Sequence, residues 1–237
     1  QYGAVCQGSG LGSYKVVREK NPDGLVFANM SAFVTPEQAL AAVAMLDADG
    51  LELHLNAAQE LHMTEGDKNY AGLLQNMQKI HENLDVPIII KETGCGIAKE
   101  QYEELLGAGF RIYNCAGAGG TNFPAIEAKR SGVELHDEFL SWGLPTCWCL
   151  IDAQCIIPQK QCLLASGGIR SAGDVAKAFA LGADAVGITA PALRLVVEEG
   201  IEAAVAYFIE LAHGLEQYLS LLGCRTPYEL RRVPLLI

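Results

Sequence analysis

The chain has 237 residues, half of them apolar and 7% aromatic, with 17 Lys+Arg against 28 Asp+Glu for a formal net charge of −11. That length and apolar fraction exclude a disordered chain and suffice for a core without disulfide or metal staples. The acidity argues against a nucleic-acid-binding or anionic-membrane surface and leaves room only for local basic pockets.

The sequence opens at Gln1 inside an apolar run, without the basic segment or cleavage site of a signal peptide, and reads as a fragment. No apolar stretch approaches the ~18 residues of a membrane-spanning helix. Ala4–Cys6 reads as a strand. The run Gly8-Ser9-Gly10-Leu11-Gly12 imitates a dinucleotide fingerprint, but Ser13 stands where the third glycine belongs and no clean helix is expected after it. Strand 26–29 follows, then a helix over 36–46 with Thr35 as N-cap and Pro36 at its first position. Strand 51–55 precedes a helix over 73–84, and Pro87-Ile88-Ile89-Ile90-Lys91 is the clearest buried strand. A helix over 99–108, strand 110–115 and a helix over 146–154 come next. Strand 162–166, helix 172–181, strand 185–188 and a long amphipathic helix over 201–222 complete the series. Leu211, Leu215, Leu219 and Leu222 of that last helix are expected to pack on the remainder of the fold.

Short apolar strands alternating with helices indicate parallel βα units. Seven strands are one short of a closed barrel, so the expected fold is α/β, a (β/α)8 TIM barrel whose first strand is absent from this sequence. Residues 1–237 are read as one N-terminally incomplete barrel domain. The eight cysteines include no C-x-x-C pair, so a zinc site is not expected, and most are read as small core residues in a reducing cytosol.

Polar residues at the C-terminal ends of barrel strands face the active site. Those ends carry Asn29, His54 with Asn56, Lys91 with Glu92, Asn114, Gly167 with Gly168, and Thr189 with Ala190. The loop Gly167-Gly168-Ile169-Arg170 and the segment Gly187–Ala190 follow the last two strands, the usual phosphate site of such barrels. Gly117–Asn122 forms a second glycine-rich loop, and Lys91 is read as holding anionic charge. Glu60, taken to lie in a loop, is a candidate hard-metal ligand, because magnesium commonly takes one or two carboxylates plus substrate phosphates.

The segments HLN-x-x-QE at 54–60 with EGD at 65–67, KE-x-G-x-G at 91–96 and GAGGTNF at 117–123 occur together with WG-x-PT at 142–146 and ASGGIR at 165–170. In that combination, over nearly the whole chain, the sequence resembles the type 2 isopentenyl-diphosphate isomerases. The resemblance implies interconversion of isopentenyl and dimethylallyl diphosphate in isoprenoid biosynthesis, using FMN reduced by NADPH and Mg2+. It implies flavin contacts from Ser9, Asn29, Lys91, Ala116, Thr121, Gly167, Gly168, Arg170, Thr189 and Ala190. It places His54, Asn56 and Gln59 at the reacting face and Glu60 on magnesium. It further implies a cytoplasmic homo-oligomer, a tetramer or octamer, whose partner is a small diphosphate rather than nucleic acid or membrane. The sequence departs from the family at Gly10 and Leu11, where Gln-Arg is expected, at Ala116, where a serine is expected, and in lacking the N-terminal Arg/Lys pair and Met-Thr-Gly-Gly loop. Two other readings are an FMN-dependent α-hydroxy-acid oxidase-like barrel and a non-catalytic flavin-binding paralogue.

Overall fold

The computed structural model describes residues 5, 8, 10–63, 66, 68–158 and 161–235. Of the expected strand at 4–6 only Val5 is described, and it is helical. Ala4 and Cys6 lie outside the described residues. The glycine run does lead into a helix, α1 (Leu11–Lys20), which Gly10 enters from the left-handed region at φ 72. Arg18 anchors α1 by donating to Gly24 O at 2.8 Å, Asp47 O at 2.6 Å and Asp49 Oδ2 at 2.6 Å. The apolar spacing there is weak, so the helix is held by this guanidinium more than by a buried stripe.

Six strands follow among the described residues: β1 (Phe27–Ser31), β2 (Gly50–His54), β3 (Ile88–Lys91), β4 (Ile112–Asn114), β5 (Cys162–Ser166) and β6 (Ala185–Gly187). All five pairings are parallel, in sequential order from β1 to β6. A singly wound parallel order with intervening helices is that of a (β/α) barrel, not of a doubly wound sheet.

Helices α2 (Pro36–Leu46), α3 (Ala57–His62), α4 (Leu73–Glu82), α5 (Lys99–Gly107) and α6 (Phe123–Ser131) connect the first four strands and follow the fourth. Then come α7 (Asp137–Leu140), α8 (Thr146–Ile156), α9 (Ala172–Ala180), α10 (Ala190–Glu198), α11 (Ile201–Leu221) and a 3-10 turn at Pro227–Arg232. α2 starts as its sequence signals dictate: the Thr35 hydroxyl accepts from Gln38 N at 3.3 Å while Gln38 Oε1 accepts from Thr35 N at 2.9 Å.

The strands' outward residues make the core. Ala28, Met30, Leu51, Leu53, Ile88, Ile90, Tyr113, Leu163 and Ala165 are buried in one cluster with residues of the covering helices, such as Ala39, Leu46, Met77, Ile80 and Leu150. Because side chains alternate along a strand, the other face carries Asn29, Glu52, His54, Lys91, Asn114 and Ser166, and these are the residues of the barrel interior.

Two further expectations are corrected. Cysteine burial is mixed: Cys115 and Cys149 are buried, Cys95, Cys162 and Cys224 are half-buried, and Cys147 and Cys155 are exposed on α8. Leu211, Leu215 and Leu219 on α11 are half-buried, but Leu222, just past its end, is exposed. Among the described residues no helix is long and apolar enough to cross a membrane.

Candidate active site

The C-terminal ends of the strands surround a cavity of about 970 Å³. Its lining includes Asn29, His54, Asn56, Gln59, Glu60, Lys91, Ala116, Thr121, Gly167, Gly168, Arg170, Thr189 and Ala190. Every residue singled out from the sequence for cofactor, substrate or metal is therefore at one cavity, except Ser9, which lies outside the described residues.

Register assembles the polar rim. Ser31 pairs with His54, His54 with Lys91 and Lys91 with Asn114; Asn114 pairs with Leu164, and two residues further along β5 Ser166 pairs with Gly187. Neighbouring strands then join their side chains: Asn29 Nδ2 donates to Glu52 Oε2 at 2.8 Å, and Ser166 Oγ to Asn114 Oδ1 at 2.7 Å.

The His54–Glu60 segment is not a loop throughout. Asn56, in the left-handed region at φ 29, turns the chain out of β2 into α3, so Glu60 sits on a helix and is buried. His54 Nδ1 and Asn56 Oδ1 are 2.6 Å apart, so the ring nitrogen donates and Nε2 remains an acceptor. Asn56 Nδ2 donates to Gln59 Oε1 at 3.1 Å and Glu60 Oε1 at 3.3 Å. Gln59 Nε2 in turn donates to Glu127 Oε1 at 3.0 Å, and Glu127 Oε2 pairs with Arg130 Nε at 2.9 Å. Glu127, buried on α6, was not foreseen. Its partner Gln59 is far away in sequence, and only the packing of α3 on α6 brings the two together.

Burial pushes the His54 ring below its ordinary pKa, outweighing the Asn56 hydrogen bond, which acts the other way. The neutral form is thus favoured in the folded protein. The corresponding stability is fully present above the unfolded value of about 6.5 and is lost as pH falls through the lower folded value. Thermal melting of the wild type is expected to drop more steeply with acidification across that window than melting of His54→Asn. Equal slopes would refute this account.

Lys91 projects from the end of β3, its Nζ donating to Glu92 O at 3.3 Å. The next side chain shapes the loop: Glu92 Oε2 accepts from the backbone N–H of Thr93, Gly94 and Cys95 at 2.8, 3.3 and 3.0 Å. Burial raises the Glu92 pKa, and those three donors oppose the rise.

The two glycine loops interlock. A Cβ on Gly167 (φ +91) would run into the carbonyl oxygen of Gly117, and one on Gly168 (φ +80) would meet Gly119 at 2.9 Å. Thr146 Oγ1 sits beneath them, 3.0 Å from Ser166 O and 2.6 Å from Gly167 O. Arg170 spans both loops, donating from Nη2 to Gly119 O at 2.7 Å and from Nη1 to Gly168 O at 3.3 Å. The glycines thus first permit loop-on-loop packing. Their openness to an anion is a second consequence of the same missing side chains.

Comparison with known proteins bears on what the cavity holds. Residues 18–235 match the model of the FMN-dependent dehydrogenase family. The chain is 42% identical over 237 residues to an isopentenyl-diphosphate delta-isomerase from Geobacillus sp. (strain WCH70), spanning all of this chain and 67% of that protein. It is 40% identical over 225 residues to the protein of the same name from Bacillus pumilus (strain SAFR-032), spanning 95% of this chain and 63% of the other. The chain therefore covers roughly two thirds of the length of such relatives. Among solved structures, a putative lactate oxidase from Pediococcus acidilactici aligns at TM-score 0.66 and 16% identity, over 94% of this chain and 64% of that one. GMP reductase from Trypanosoma brucei aligns at TM-score 0.61 and 22% identity, over 88% of this chain and 44% of that one. These two likenesses establish the fold alone.

Proposed function

Since the chain belongs to the FMN-dependent dehydrogenase family, and within it to the isopentenyl-diphosphate delta-isomerases, we propose that the protein interconverts isopentenyl and dimethylallyl diphosphate with a bound flavin. The observation that carries the reading is the convergence of the His54–Glu60 segment, Lys91 and both glycine loops on one cavity. At about 970 Å³ that cavity is at the upper end of small-molecule sites, with space for a cofactor and a substrate together.

The donor set fits FMN: Asn29, Lys91, Ser166 and Thr121 supply polar contacts to a flat ring and its chain, and Gly167, Gly168, Thr189 and Ala190 line the end suited to its phosphate. Reduced flavin supplies an electron-rich face and acid–base capacity in a reaction with no net redox change. The protein's own residues do the rest. Gln59, held at both ends by Asn56 and Glu127, presents a fixed amide to the substrate. His54, neutral, adds no positive charge beside the reacting carbons. Asn56 orients both. This is catalysis through placement and fixed dipoles.

Magnesium would be shared with the substrate. Among the described residues no group of three acidic, His or Cys side chains can hold a metal by itself. Glu60 offers one carboxylate at the cavity, which with diphosphate oxygens and water makes a site of the kind Mg2+ accepts. NADPH as the reductant, a cytoplasmic location and homo-oligomeric assembly belong to the same reading. Exposed Leu193, Val197, Ile201 and Val205 along α10 and α11 support a self-association surface.

Full-length protein reconstituted with FMN, reduced with NADPH and supplied with Mg2+ is expected to convert isopentenyl diphosphate to dimethylallyl diphosphate, followed by proton NMR. Absence of product from protein that has bound flavin overturns the reading.

A further inference from the structure

We infer that Arg194 is an additional cofactor-binding residue, its guanidinium contacting the phosphate group of the bound flavin; this rests on the flavin reading above. Three cations of Lys and Arg line the cavity among the described residues: Lys91, Arg170 and Arg194. Two already donate to backbone carbonyls of the protein. Lys91 Nζ donates to Glu92 O at 3.3 Å, and Arg170 donates from Nη2 to Gly119 O and from Nη1 to Gly168 O, at 2.7 and 3.3 Å. Arg194 has no hydrogen bond or ion pair among the described residues. In a chain of net charge −11, a phosphate dianion held by backbone N–H groups gains further from a guanidinium whose donors have no other partner among the described residues.

The location selects the flavin phosphate over the substrate diphosphate. Ala190, Pro191, Arg194 and Leu195 all line the cavity, the i, i+1, i+4, i+5 spacing of one helical face, while Leu193, Val196 and Val197 point outward with exposures of 61, 43 and 75%. Long helical side chains lean toward the helix N-terminus, which carries Arg194 back toward Thr189 and Ala190. That corner lies between the loops after β5 and β6, where barrel enzymes bind phosphate. Glu60 and Gln59, the groups read as serving the substrate, sit on α3, which follows β2, four strands before β6 in the sequential order.

The test is titration of full-length apoprotein with FMN and with riboflavin, which lacks the phosphate, monitored by flavin fluorescence. Arg194→Ala is expected to weaken FMN about tenfold, as for one charge-assisted contact at a solvent-reachable site, and to leave riboflavin unchanged. Arg194→Lys should recover part of the FMN affinity. Unchanged FMN affinity in Arg194→Ala overturns the inference while leaving the flavin reading intact. So does equal weakening of both flavins, which marks a structural role. Unchanged FMN binding with loss of Mg2+–pyrophosphate binding would assign Arg194 to the substrate and also overturn it. Failure of the wild type to bind either flavin overturns the flavin reading itself, and this inference with it.

Discussion

Gly167→Ala is expected to destabilise the protein by about 3 kcal/mol or more and to abolish flavin binding under conditions where the wild type is saturated. Two effects add. The backbone at φ +91 is left-handed, which costs a residue with a side chain roughly 1–2 kcal/mol. The new methyl would also collide with the Gly117 carbonyl, a backbone atom that cannot rotate away, and would force apart the loops that Thr146 and Arg170 tie together. Gly132→Ala separates the contributions. Gly132 is left-handed too, at φ +70, but nothing lies within 4 Å of its missing Cβ, so that variant should lose only the conformational part. Urea denaturation of both proteins checks the prediction. Equal losses would mean that the loop contact contributes nothing.

Glu60→Gln should lower Mg2+-dependent isomerisation by about a thousandfold, equivalent to ~4 kcal/mol of barrier, with flavin affinity unchanged. Glutamine retains an oxygen to accept from Asn56 Nδ2, the 3.3 Å contact of Glu60 Oε1, so the segment should keep its shape while losing the charge that a hard cation needs. Turnover measured against Mg2+ concentration, beside a flavin titration, distinguishes the outcomes. Wild-type magnesium dependence in the variant would remove Glu60 from the metal site.

The legible elements were those with chemical punctuation at their ends. Thr35-Pro36 opens α2, and the helix runs over 36–46 as its periodicity indicates. The Ile88–Ile90 run bounded by Pro87 gave β3 with little error, whereas strand 110–115 is only Ile112–Asn114, since neighbouring apolar residues pack as loop. Two missed helices did carry signals: Asn122 caps α6 by accepting from Ala125 N at 2.9 Å ahead of Pro124, and Pro191 sits in the first turn of α10. α3 carried only the Asn56–Gln59 spacing of a capping box, without apolar periodicity over Ala57–His62 to support it, and in the structure Asn56 makes no side-chain bond to the helix backbone. The cavity residues were legible because strand ends in a barrel converge whatever the loops do. Glu127 and Arg194 were not, because a charged residue on a helix carries no local mark of which side it faces.

The alignment of Ser31, His54, Lys91 and Asn114 abreast across four strands has a consequence for how this site tolerates change. The sheet acts as a ruler: sliding one strand back by a single residue would swap inner and outer faces and put Met30, Leu53, Ile90 or Tyr113 where a polar group now stands at the rim. Spatial accuracy at the mouth is therefore underwritten by Leu51, Leu53, Ile88 and Ile90, none of which lines the cavity. Volume changes at those positions should surface as blurred ligand selectivity well before the fold itself gives way.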